Sequence, residues 1–317
     1  MKKNLINVLL FLILFFGIDF TIGIVAKNSV LKLKTGFLGV VNNTIKDTSK
    51  ILILGSSRAQ NHYNSELISK KCNLSTFNGG QGGYGTLYTH AVLNERLKES
   101  SPQLVILDIA PNILVDEKQF EKLTSLMPLC SLYPSFSEIV KKNPDNKEIT
   151  FWINTLKYNS TLFDLFYDKF AAKKKDGYTA LPQSINLKTF VQFYYKPELF
   201  SNEMKIKINT ILSSQLEYVT KMKKLCDKKG VQFLVIISPS YIDYDKTNKI
   251  KNKLFDYLKN NQIQVINFTE SNLFSKNPEL FHDQLHLNVK GATFFSNQVV
   301  DSLNVKYLLS ASKKRIK

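Results

Sequence analysis

Four short runs in this sequence are largely apolar and stop abruptly. Ile51 to Leu54 ends at Gly55, and Leu104 to Leu107 ends at Asp108. Val231 to Ile237 ends at Ser238-Pro239, and Ile263 to Phe268 leads into a polar stretch. A strand with one wet face alternates apolar and polar residues, whereas a run that is apolar throughout is buried on both faces. Between the runs the spacing turns helical, over Thr86–Lys98, about 203–229 (with Gly230 as its stop) and 247–260. A last helix opens at Asn288 and carries Ala292, Phe295, Val299 and Leu303 on one face. Strand and helix in alternation predict an α/β fold, with a mainly parallel sheet between two helical layers. In such sheets ligands bind beyond the carboxyl ends of the strands. Gly55-Ser56-Ser57, Asp108 to Asn112 and the loop after Phe268 are therefore where chemistry is expected.

The N-terminus constrains location. Met1-Lys2-Lys3 precedes Leu5 to Ala26, a run that is apolar apart from Asn7, Asp19 and Thr21. About 20 apolar residues cross a bilayer as a helix. Lysines before the run favour a cytoplasmic N-terminus. The expectation is a single-pass anchor at residues 1–30, a juxtamembrane linker at 31–50, and a domain at 51–310 on the periplasmic or extracellular side. A cleaved signal peptide competes, although Ile24 is bulky where a small residue is preferred. Asp19 is read as reaching the membrane interface. Residues 113–200, rich in Phe, Tyr, Lys and Asn, read as a largely helical insertion near the site.

The net charge of +17 invites a nucleic-acid reading. Only Arg58, Arg96 and Arg315 are arginines, however, and base readers and phosphate clamps rely on the bidentate guanidinium fork. The rest is a lysine-coated surface, and no nucleic-acid partner is expected. Cys72, Cys130 and Cys226 match no metal spacing, and no metal site is expected. One pair would bridge in an exported protein, or all three are buried small hydrophobes.

Three short stretches carry chemistry. Asp283 stands three residues before His286, a spacing that brings a carboxylate to the imidazole Nδ1–H and leaves Nε2 to take a proton. Alternatively, the turn only caps the following helix. Ser57 follows the first strand, where its Oγ projects above the sheet edge and nearby N–H groups face a developing oxyanion. Ser56 or Ser57 would otherwise be a simple cap. Gly80-x-Gly82-x-x-Gly85, with Asp108 at the end of the next strand, matches a dinucleotide fingerprint. An exported domain has no supply of that cofactor, and a glycine loop also serves where backbone passes close to a reacting group.

In combination, Gly55-Ser56-Ser57, Asn78-x-Gly80-x-x-Gly83, an Asn beyond the next strand, and Asp283-x-x-His286-Leu-Asn-x-x-Gly291 resemble the SGNH/GDSL-type serine hydrolases over residues 51–305. Membrane-anchored, envelope-facing members of that superfamily are the nearest in appearance. The resemblance implies an SGNH/flavodoxin-like fold with Ser57 as nucleophile, His286 as base and Asp283 as its orienting acid. It implies an oxyanion hole from the N–H groups of Ser57 and Gly83 and the side chain of Asn112, and it implies no cofactor. Ser56 stands where the family usually has Asp. Ala110-Pro111-Asn112-Ile113 stands in place of the usual Gly-x-Asn-Asp. Arg58, beside the nucleophile, is a candidate substrate contact or a structural ion pair. The expected activity is ester hydrolysis or O-acyl transfer on acylated carbohydrate or a small acyl ester, with partners in envelope biosynthesis. The competing reading is an inactive envelope glycan-binding or scaffold protein.

Overall fold

The computed structural model describes residues 2–143, 149–159, 161, 177–182, 201–241 and 249–303. Its longer helices are α1 (Lys2–Val30), α2 (Gly36–Lys46), α3 (Ser57–His62), α4 (Ser65–Cys72), α5 (Thr86–Glu99), α6 (Asn202–Lys228), α7 (Lys249–Asn260) and α8 (Val289–Leu303). Five strands form one sheet: β1 (Ile51–Gly55), β2 (Thr76–Asn78), β3 (Leu104–Asp108), β4 (Gln232–Ile237) and β5 (Gln264–Asn267). Their order is β2-β1-β3-β4-β5, and every pair is parallel. This is a doubly wound arrangement, and the direction of winding reverses between β1 and β3.

The apolar runs explain the layers. Ile51, Ile53, Ile106, Leu234 and Ile236 pack into one core with Ile68 of α4 and Ala292, Phe295 and Val299 of α8. Alternate residues such as Leu52, Leu54, Val105 and Val235 point to the opposite face, where α5 meets β1 and α6 meets β4. Burying one such aliphatic side chain stabilises the fold by about 1.5–3 kcal/mol. The register sets Gly55 beside Asp108, and Asp108 beside Ile236, at one carboxyl edge.

The chain forms two compact units. The sheet lies in Thr44–Gln119 with Lys174–Lys317. The other unit is Met1–Asn43 with Phe120–Lys173. The segment 31–50 was expected to be a linker, but it contains α2, whose Leu38, Val41 and Ile45 are buried. The stretch expected as one insertion divides. Residues 120–173 group with the N-terminal helix, with Leu123, Leu126, Leu129 and Phe136 buried, whereas 183–200 lie outside the described residues.

In α1, 29 residues span about 44 Å, long and apolar enough to cross a membrane. Leu5 to Ile18 are exposed all round. From Asp19 onward one stripe is buried: Asp19, Gly23, Ala26 and Val30.

Candidate active site

Ser57 is the first residue of α3, two positions beyond the end of β1. The turn between them needs Gly55. Its φ is +143°, and a Cβ there would stand 2.5 Å from the Asp108 carbonyl oxygen. Gly80 is equally constrained, since a Cβ would collide with the backbone nitrogen of Gln60. Gly55 thus lets the β1 turn pass against the end of β3, and Gly80 lets the glycine loop pass against α3.

His286 arrives from the loop before α8. Its Nε2 lies 2.7 Å from Ser57 Oγ, and its Nδ1 lies 2.8 Å and 3.0 Å from the two Asp283 oxygens. Asp283 Oδ1 also accepts the backbone N–H groups of Leu285 and His286, each at 2.8 Å. One carboxylate thus shapes the turn and holds the ring. Burial raises the pKa of Asp283, but the bonds and charge from His286 and those two N–H groups outweigh it and leave the carboxyl below its ordinary value. Asn288 secures the loop from behind. It donates to the carbonyls of Glu279 and Phe281 and accepts the Gly291 N–H at the start of α8.

Behind His286 is a buried polar group whose partners the sequence did not reveal. His62 is fully buried, and its Nε2 accepts the Leu287 N–H at 3.1 Å. The proton must then sit on Nδ1, which donates to Ser238 Oγ at 3.1 Å. Burial pushes His62 well below the usual histidine range, and nearby His286 and Arg58 add to the effect. Asp108 accepts the Tyr63 hydroxyl at 2.6 Å, and burial raises its pKa. Arg58 is 3% exposed and donates to the Ser238 carbonyl at 3.2 Å. The expected substrate contact is therefore not where this side chain lies. It is turned inward, within electrostatic reach of Asp108.

The three expected oxyanion donors are placed as follows. Ser57 N–H opens α3, where helix geometry supplies no intrahelical acceptor. Gly83 N–H donates to Ser56 Oγ at 3.2 Å, and Gly82 N–H donates to Gln60 Oε1 at 3.1 Å. Asn112 lies on the 3-10 turn Pro111–Val115 after β3, with a buried Oδ1 that has no hydrogen-bond partner among the described residues. The dinucleotide reading meets two obstacles. The N–H of Thr86 at the start of α5 donates to Gln215 Oε1, where a pyrophosphate would sit, and Asp108 is committed to Tyr63.

No protein-family model matches the chain, and no curated protein matches it. Among solved structures, it is similar to a protein assigned as an acylhydrolase from Bacteroides fragilis. That match has 13% identity and a TM-score of 0.41, over 81% of this chain and 87% of the other. An acetyl xylan esterase from Butyrivibrio proteoclasticus matches at 11% identity and a TM-score of 0.36, over 81% of this chain and 63% of the other.

Proposed function

We propose that the protein is a membrane-anchored, serine-dependent acyl-ester hydrolase or O-acyltransferase that acts on carbohydrate of the cell envelope or surface. The observation that carries the reading is the hydrogen-bonded line from Ser57 Oγ through the His286 ring to Asp283. Neutral His286, with its proton on Nδ1, accepts the Ser57 hydroxyl proton on Nε2 as Oγ attacks the acyl carbon. Asp283 steadies the imidazolium that forms. The carbonyl oxygen gains negative charge and is received by the N–H groups of Ser57 and Gly83 and the side chain of Asn112. Gly83 exchanges its bond to Ser56 for one to the oxyanion. His286 returns the proton to the departing alkoxide, leaving the acyl group on Ser57. Water or a sugar hydroxyl then attacks, with His286 as base again, and Ser57 is released. None of these steps calls for a metal or cofactor.

The envelope setting rests on α1 and on the lysines in its first turn, and the carbohydrate substrate rests on the family resemblance. The engaged Gly83 N–H favours one alternative, an inactive glycan-binding or scaffold protein. A fluorophosphonate probe separates the two. Wild type is expected to label, and Ser57→Ala is expected to lose both labelling and ester turnover, the latter on the order of 10^4-fold or more. Equal labelling of the two proteins would sink the catalytic assignment.

A further inference from the structure

Residues 149–157 belong to the unit that contains α1. They form two helical turns, Ile149–Trp152 and Asn154–Lys157, joined at Ile153. Asp19 of α1 holds the second turn. Its Oδ2 accepts the N–H and side-chain amide of Asn154 at 2.9 Å and 3.1 Å, and its Oδ1 accepts the N–H and hydroxyl of Thr155, each at 2.8 Å. One helical turn further along α1, a Cβ on Gly23 would stand 2.5 Å from the Asn154 carboxamide carbon. The segment therefore runs against α1 at the level of residues 19–23.

That level has a meaning if α1 spans a membrane, the reading on which this inference rests. A span that begins at Leu5 uses about 20 residues and ends near Ile24. Asp19 then lies about 8 Å short of the outer end. Water is scarce there, and backbone N–H groups must be satisfied within the protein. The Asp19 carboxylate does this for Asn154 and Thr155. On the same segment, Ile149, Trp152 and Leu156 are 54%, 81% and 45% exposed. Phe20, Ile24 and Val25 of α1 are also exposed apolar residues at this level of the helix. Tryptophan concentrates at the membrane–water boundary, and Trp152 is the only one in the chain. Lys157 and Lys27 lie close enough to interact, and Lys141 Nζ stands 5.8 Å from the Phe151 ring centre. Such cations suit lipid phosphates.

We infer that residues 149–157 are a second membrane contact, seated in the lipid interface beside α1, with Ile149, Trp152 and Leu156 facing lipid. A single tryptophan makes the test direct. Full-length protein is placed in phosphatidylcholine–phosphatidylglycerol vesicles, and carbonate extraction reports whether α1 is integrated. The expected result is blue-shifted Trp152 emission, strongly quenched by lipids brominated near the headgroup and little quenched by aqueous iodide. Red emission quenched by iodide, in carbonate-resistant protein, overturns the inference and leaves the span standing. Protection from iodide without bromolipid quenching means that another protein surface covers the face, and this also overturns it. Carbonate-extractable protein removes the span, and the interface with it.

Discussion

Asp283 and His286 are three residues apart, so their contact is made within one turn, and local spacing was enough to anticipate it. His62 is the opposite case. Its partners, Ser238 and Leu287, lie 176 and 225 residues away, and no periodicity connects them. Arg58 shows a related limit, because rarity marks a residue as unusual but does not say whether it faces substrate or core. His62 leads to a test. The folded state disfavours its protonation, whereas the unfolded chain takes the proton near 6.5. Its contribution to stability is therefore complete above 6.5 and is lost as pH falls below that value, with a slope of up to about 1.4 kcal/mol per pH unit. His62→Gln keeps a donor and an acceptor but does not titrate. Urea unfolding of the detergent-solubilised chain between pH 7.5 and 5 should show a shallower acid-side loss in this variant than in wild type. Parallel pH profiles would contradict the buried neutral assignment.

At the scale of elements, the strands were legible because burial on both faces leaves almost no polar residue in Ile51–Leu54 or Leu104–Leu107. β2 was legible only as a short, weak strand around Leu74 to Phe77, because a three-residue edge strand carries too little pattern. α2 was hidden by the lysines in and around it (Lys32, Lys34, Lys46 and Lys50), which suggested a linker although Leu38, Val41 and Ile45 are buried. The cysteines resolve as unpaired thiols, and burial pushes those of Cys130 and Cys226 up to about 12. They behave as small hydrophobes. On the proposed mechanism the junction of β1 and α3 matters most, since it aims Ser57. Gly55→Ala imposes a strained φ and a clash with the Asp108 carbonyl. The expected cost is about 1–3 kcal/mol in the unfolding free energy measured with urea, with ester turnover falling further than stability alone explains. Unchanged turnover in a folded variant would show that the turn does not position the nucleophile.

For the molecule as a whole, the net charge of +17 acquires a setting. The chain has an N-terminal helix able to cross a membrane, and only three arginines stand among its cations, so lysine carries nearly all of its positive charge. The fold class was legible because it follows from apolar runs alternating with helices. The division into units was not, because it depends on which apolar faces meet across more than a hundred residues. The central claim is that Ser57 becomes acylated. The most direct measurement is intact and peptide mass spectrometry of protein quenched during turnover of an acyl ester such as p-nitrophenyl acetate. The expected result is one added acyl group on the peptide that contains Ser57, absent in Ser57→Ala and much slower to form in a variant with His286 replaced by Ala, which lacks the base for the attack. No adduct on wild type during measurable turnover, or an adduct retained in Ser57→Ala, would contradict it.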